Sequence, residues 1–410
     1  MSNYQWLEQL PSNWTTYSLG HVARVSTGTA DVQDAEPDGH FPFYVRSPHI
    51  LRLDRYTNDT EAVITAGDGN VGDIFHIARG RFAAHQRVYV IEPGSRLEIR
   101  FLAYVMAATF KASLSGNTAK STVESLRRPM LTGFRMPGPP LSAQRVIADY
   151  LDRETSEIDT LITELSSAQD LARERHSAAL ERLIVNDGPI PSELRRHNPH
   201  RKSGTSVNGA PWPAEAGEPG VLKTGAASQR EYRPHENKAV IDPVEQARLS
   251  TPVEADRVLV NRANTPSNVG AAAYVERSND NLFLSDKLWS IDFQGVNEYF
   301  AFAMQTRLYQ DQASQRAVGT SLSMQNLPYD EFLSIRLPAP SVERQLSICA
   351  TLREEQRSIS ASVSDLDRAI TIAKERRAAL ITAAVTGRID VTAKRRPAAE
   401  QLEDDIKELS

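Results

Sequence analysis

The chain has 410 residues, 40% of them hydrophobic, and a formal net charge of −5 at pH 7. That length implies about two to three domains of ordinary soluble composition, and the charge excludes a uniformly basic nucleic-acid coat while leaving local basic surface open. Its single cysteine, Cys349, rules out an internal disulfide framework and a cysteine-built zinc site, and reads as a small residue beside a helix seam.

Residues 1–140 read as a mixed, mostly β domain. The opening MSNYQWLEQL has neither a basic start nor an apolar run, and no window approaches the roughly eighteen apolar residues of a membrane span. A cytoplasmic protein without membrane contact is expected. WTTYSLGHVARVSTG alternates like a strand running into a turn, and EAVITAGDGNVGDIFHIARGRFAAHQRVYVIEP reads strand, glycine turn, strand, turn, strand. FLAYVMAATFKASL is a short apolar helix, GNTAKST a polar loop, and SLRRPMLTGFRMPGPP the approach to a much longer helix.

That helix, residues 141–185, has an echo at 341–386. The stretch from Phe134 to His176 aligns without a gap on a stretch 201 residues later, and 13 of 43 positions are identical; chance would give about two or three, so the chain is internally duplicated. Both copies start on prolines and then run without Pro or Gly, which marks long helices with fixed starts. Ile147, Leu151, Glu154, Ile158, Leu161, Leu165, Ala168, Ala172, Arg175 and Ala179 recur at steps of four and three. Ile348, Leu352, Glu355, Ile359, Ser362, Leu366, Ala369, Ala373, Arg376 and Leu380 repeat the series. Heptad seams of this kind need partners, and the simplest arrangement packs the two helices on each other as an antiparallel coiled coil. A crossing near Leu165 and Leu366 would bring Glu154 to Arg376 and Arg175 to Glu355, setting register more than stability.

Residues 186–212, rich in Pro, Gly, Ser and basic side chains with no apolar period, read as a linker. Residues 213–340 restate the first domain: DRVLVNRANTPSNVGAAAYV answers EAVITAGDGNVGDIFHI, and LFLSDKLWSI, YFAFAMQTRLYQDQAS and GTSLSMQNL answer FAAHQRVYVI, FLAYVMAATFKASLSG and NTAKSTVESL. The fold class expected is thus α+β, two pseudo-repeated, β-rich domains separated by the paired helices. Residues 387–410 form a charged polar tail.

Few motifs suggest resident chemistry. Gly67, Gly69 and Gly72 satisfy GxGxxG as a string, but the following DIFHIA alternates like a strand where a dinucleotide site needs a helix, so a β-turn is the reading. Asn326, Leu327, Pro328 and Tyr329 resemble the (N/D/S)PP(Y/F) signature of DNA amino-methyltransferases, yet Leu327 stands in the place of the first proline and aligns with scaffold residue Leu126. No GxxxxGK[ST], GxSxG or histidine spacing for a metal is present. What remains are polar loops at matched positions of both halves. In the first these offer Asp68, Asn70, His85, Gln86, Arg87, Lys120 and Ser121; in the second, Ser228, Gln229, Arg230, Asn261, Arg262, Asn264 and Thr265. Arg, Asn and Gln can pair with purine edges, while Lys, Ser and Thr suit phosphates.

The layout of variable domain, proline-led helix (MPGPPLSAQRVIADYLD), second variable domain and second helix ending KERRAALITAAVTGRIDV resembles the specificity (S) subunit of type I restriction-modification systems, over the whole chain. VLKTGAAS…ENKAV with VLVNRANTPSNVG is similar to that family's second recognition domain, whereas LERLIVNDG departs from the usual end of the first helix. The resemblance implies a non-catalytic subunit whose two target-recognition domains read the halves of a bipartite, asymmetric site in double-stranded DNA. A helix of about 44 residues, roughly 65 Å long, would set the gap against a DNA turn of about 34 Å. It further implies two methyltransferase (M) subunits and restriction/translocase (R) subunits as partners. S-adenosylmethionine, ATP and Mg would belong to those partners, with no cofactor and no metal in this chain. The alternative is a coiled-coil assembly protein whose variable domains bind protein partners.

Overall fold

The computed structural model describes residue 7 and residues 10–114, 125–321, 324–389 and 391. The chain divides into two compact units, Met1–Ser167 with Asp365–Ser410, and Ala168–Ser364. Both divisions fall inside long helices, Leu141–Leu180 and Val342–Val385, so each unit combines a β-rich domain with a stretch of both helices.

In the first unit, one antiparallel sheet has the order Ala23–Thr27, Val88–Pro93, Ala62–Ala66, Phe75–Ala78. A second has the order Leu51–Leu53, Phe41–Tyr44, Arg81–Ala84, Asn58–Asp59, with a parallel junction between Phe41–Tyr44 and Arg81–Ala84. Ala62–Ala66 is buried along its whole length, which is why its sequence, AVITA, does not alternate apolar with charged residues. The segment read as one strand through FAAHQRVYVIEP is two, Arg81–Ala84 and Val88–Pro93; His85, Gln86 and Arg87 carry the chain from one sheet to the other. Likewise WTTYSLGHVARVSTG holds two strands, Thr15–Ser18 and Ala23–Thr27, with one helical turn, Leu19–Val22, between them.

The second unit repeats this plan. Its antiparallel sheet has the order His200–Ser203, Leu288–Asp292, Arg257–Asn261, Ala272–Val275. The other has the order Asn237–Ala239, Gly220–Leu222, Asn279–Phe283, Pro252–Val253, again with one parallel junction, Gly220–Leu222 with Asn279–Phe283. The expected linker at 186–212 is corrected here. Ser192–Glu193 pairs with Arg336–Leu337, and His200–Ser203 forms an edge of the larger sheet. Its lack of apolar period reflects the edge position, where side chains face water and neither face dictates a pattern.

Each domain's core is completed by helix residues. Leu19, Phe101, Phe110 and Phe134 of the first unit pack with Ile147 and Leu151 from the start of one long helix and Ile381 and Val385 from the end of the other. Val258, Trp289, Phe300 and Phe332 of the second unit pack with Leu180 and Ile184, and with Ile348 and Leu352. Rising numbers on one helix meet falling numbers on the other in each unit: Ile158 contacts Ala373, Arg377 forks onto Asp159 at 2.8 and 3.0 Å, and Gln169 Nε2 donates to Val363 O at 3.3 Å.

The heptad reading needs one correction. Ala168 and Arg175 are exposed, whereas Gln169 is buried and His176 half-buried, so the packed stripe slips by one residue. A strict seven-residue period drifts about 20° per heptad against a straight helix. Arg175 therefore makes no ion pair with Glu355. His176 is the residue near that carboxylate, with burial holding its pKa down and Glu355 pulling it up. Glu154 is buried, and accepts from its neighbour Arg153 at 2.9 and 3.1 Å.

Two buried glutamines stitch domain to helix. Gln144 Oε1 accepts from Glu98 N at 2.9 Å, and its Nε2 donates to Arg96 O and Pro139 O at 3.0 and 2.9 Å. Its repeat partner Gln345 accepts from Val296 N at 2.9 Å and donates to Pro340 O at 2.9 Å. Beside each stitch lies an ion pair, and the two are charge-exchanged. Arg100, second residue of the helix Ile99–Val105, binds Asp149 and Asp152 on the first long helix at 2.8 and 2.6 Å. Glu298, second residue of Asn297–Ala303, takes the Arg353 guanidinium, with Nε at 2.9 Å.

Gln144→Ala should lower unfolding stability by about 2–4 kcal/mol in chemical denaturation, because it strands a buried N–H and two carbonyls that cost about 1–3 kcal/mol each when unsatisfied. Glu298→Arg, which sets two cations together, should cost about 1 kcal/mol or more. Adding Arg353→Glu should recover most of that loss, a coupling readable from the double-mutant cycle.

Candidate nucleic-acid interface

The chain's passage from one sheet to the other gathers the polar loops of each unit. In the first, His85 N donates to Tyr44 O at 3.0 Å, Gln86 N to Ala30 O at 2.9 Å and Gly67 N to Arg87 O at 2.8 Å, so the loops after three separate strands converge on one edge. Gly28 permits this approach: a Cβ there would lie 2.2 Å from Ala84 O. Gly204 does the same in the second unit, where a Cβ would lie 1.8 Å from Leu284 O.

Asp68, only 19% exposed, takes two guanidinium groups, Arg46 on one carboxylate oxygen and Arg87 on the other, the latter at 3.2 Å. Asn70 Nδ2 donates to Arg46 O at 3.3 Å, Gln86 Nε2 to Asp31 Oδ2 at 2.8 Å, and His76 Nε2 lies 3.0 Å from Ser47 O. His85 is buried, 4% exposed, and its Nδ1 accepts from Arg87 N at 3.1 Å. Burial, then the Arg46 charge, holds its pKa below the ordinary histidine value. The arrangement is a cross-braced polar surface presenting two arginines, one amide from Asn70 and one from Gln86.

The second unit builds its edge from neutral groups. Ser228 Oγ donates to Thr224 O at 2.7 Å and accepts from Asn261 Nδ2 at 3.2 Å and Asn264 Nδ2 at 3.0 Å. Asn264 Oδ1 accepts from Thr265 N at 2.8 Å, and Thr265 Oγ1 from Asn268 Nδ2 at 3.2 Å. Arg262 takes the place of Gly67: its N donates to Lys287 O at 3.0 Å and its carbonyl accepts from Leu327 N at 2.8 Å, as Gly67 O accepts from Leu126 N at 2.8 Å. Arg230 holds a left-handed backbone, φ 62°, which is costly for a non-glycine residue. Its side chain is half-buried, with burial lowering its pKa, and Gln229 beside it is exposed.

The structure thus brings Asp68, Asn70, His85, Gln86 and Arg87 together, and Ser228, Asn261, Asn264 and Thr265 together. Two of the expected contact residues are corrected. His85 and Asn261, at 4% and 0% exposure, support the edge from beneath and cannot touch a ligand. Asp68 spends its carboxylate on bracing two arginines. Lys120 and Ser121 lie outside the described residues; Ser125 and Leu126, the first described after them, meet Asp68 and Gly67. Arg46 is a further edge residue that the sequence reading did not single out, although its loop answers the one after Gly220–Leu222 that carries Ser228; the hint is its position directly after a strand, in YVRSP.

The glycine string closes a turn, with Gly69 and Gly72 at φ 75° and 81° and a strand, Phe75–Ala78, following. The methyltransferase-like Asn326–Tyr329 is scaffold: Asn326 pairs with Ala263, and Tyr329 donates to Pro199 O at 3.1 Å beneath the Arg201 guanidinium. Among the described residues no group of three or more His, Cys, Asp or Glu side chains is placed to hold a metal, and no helix is long and apolar enough to cross a membrane.

Residues 11–167 match the family profile of the type I restriction modification DNA specificity domain. The chain is similar to the type I restriction enzyme EcoDI specificity subunit of Escherichia coli, 29% identical over 46% of this chain and 41% of that one. It is also similar to the EcoEI specificity subunit of Escherichia coli, 28% identical over 33% and 23%. The matches thus span less than half of either relative. A solved chain, described under the structural basis of complex assembly and conformational transition of the type I R-M system, superposes with a TM-score of 0.63 at 14% identity, over 93% of this chain and 99% of that one. At that identity the likeness speaks to fold. Residues 11–167 thus resemble the type I restriction modification DNA specificity domain, and parts of the chain are similar to specificity subunits of type I restriction enzymes.

Proposed function

We propose that this chain is the DNA-reading, non-catalytic subunit of a cytoplasmic type I restriction-modification complex. Each β-rich domain reads one half of a bipartite, asymmetric site through its inter-sheet edge. The long helices, packed as an antiparallel coiled coil, set the length of the unread gap. Two methyltransferase subunits and the restriction/translocase subunits dock on the chain; S-adenosylmethionine, ATP and Mg act in those partners.

One observation carries this reading: the same two-sheet plan occurs in both units, with the same strand order and the same parallel junction, while the edges it builds differ in chemistry. A duplicated scaffold with unlike edges is what an asymmetric site requires. The near-balanced charge of residues 1–140, 14 basic against 13 acidic, fits a reader that relies on partners for further phosphate contacts.

Mapping modified bases in the host genome with and without this gene tests the proposal. A single bipartite motif, modified only when the gene is present, is the expected result; an unchanged modification pattern, with the chain found instead on protein partners alone, refutes it.

A further inference from the structure

We infer that Arg46 and Arg87, held together by Asp68, read guanine in the half-site bound by the first unit. The inference rests on the DNA-reading proposal above. A guanidinium carries five N–H donors in a rigid plane, and each of these arginines commits one terminal nitrogen to Asp68. Both stay solvent-facing, at 39% and 59% side-chain exposure. Enough donors remain for a bidentate contact with the O6 and N7 acceptors of guanine. Adenine answers the same fork with one acceptor and one donor, so it is refused.

Three features favour base reading over phosphate binding. The carboxylate of Asp68 lies between the two cations, which repels phosphate while leaving hydrogen-bond direction intact. The one carboxylate offsets one of the two guanidinium charges, and burial and then the Arg46 charge hold the pKa of His85 beneath them down, so the cluster is a weak point of positive charge. The arginines come from different strands' loops and are fixed before any ligand arrives, which removes side-chain ordering from the cost of binding. The second unit has no equivalent. Ala263, paired with Asn326, stands where Asp68 meets Ser125, and Lys287 stands where Arg87 bonds Gly67. Its Asn264 amide, braced on Ser228, carries both a donor and an acceptor, the pattern that matches adenine. The guanine preference is therefore confined to one half of the site.

The test is selection of a randomised duplex library by the full-length chain together with the proposed methyltransferase subunits, followed by the same selection with Arg46→Ala, Arg87→Ala, Arg87→Lys and, as a control on the other half, Asn264→Ala. The wild type should enrich a bipartite site with guanine in one half. Each arginine variant should accept any base at one such guanine and keep the other half's preference, which also shows that the variant is folded. Arg87→Lys should not rescue, and 7-deazaguanine at the affected position should weaken wild-type binding about 5- to 150-fold. Uniform weakening across sequences with a shallower salt dependence, or a first half without guanine, overturns the assignment and leaves DNA reading intact. Failure to enrich any sequence overturns both.

Discussion

Both halves of the molecule depend on a buried glutamine at the start of a long helix. Gln144 and Gln345 each accept from the backbone N–H that opens the short domain helix and donate to the proline-rich segment leading into the long one. A side chain with a donor and an acceptor on one planar group is what this junction needs, because both sides offer backbone groups that no secondary structure satisfies. The prolines supply the other constraint by fixing φ just ahead of the helix. Together they attach each domain to its helix at one orientation, and the charge-exchanged pairs Arg100–Asp152 and Glu298–Arg353 lie about two helical turns along the same contact.

That attachment explains how like scaffolds carry unlike edges. The domain cores are closed by helix residues, so the sheets are held from behind and the inter-sheet crossings are free to vary. In one unit the crossing is filled by His85, Gln86 and Arg87, in the other by residues 284–287. Substitution at the outward positions, Gln86 and Arg87 or Asp286 and Lys287, changes what the edge offers, whereas His85 and Leu284 are buried and belong to the packing that positions it.

Long-range order was the most legible part of the sequence. The helices are visible because more than forty residues without Pro or Gly leave few alternatives, and the duplication because the stitched glutamines and prolines recur in register. The sheets were readable only in part. Strand Ala62–Ala66 is legible from the glycine turn that ends it, but the crossing at residues 85–87 holds no Gly or Pro and hides the break between Arg81–Ala84 and Val88–Pro93, while the edge strand His200–Ser203 shows no apolar period and so reads as linker. The candidate edge was legible as a set of loops, since Asn70, Arg87 and Asn264 all fall where strands end. Burial was not legible: Asn261 and His85 look like ligands in the sequence because nothing local reveals that a neighbouring strand covers them. The Arg46–Asp68–Arg87 brace joins three loops far apart in the chain, a coincidence that no local pattern encodes.

The proposal that one chain presents two distinct readers is tested most directly by nuclease protection of a target duplex by the full-length chain with the proposed methyltransferase subunits. Two protected patches of different sequence separated by an unprotected gap are expected; a single continuous patch, or protection that ignores sequence, would contradict it.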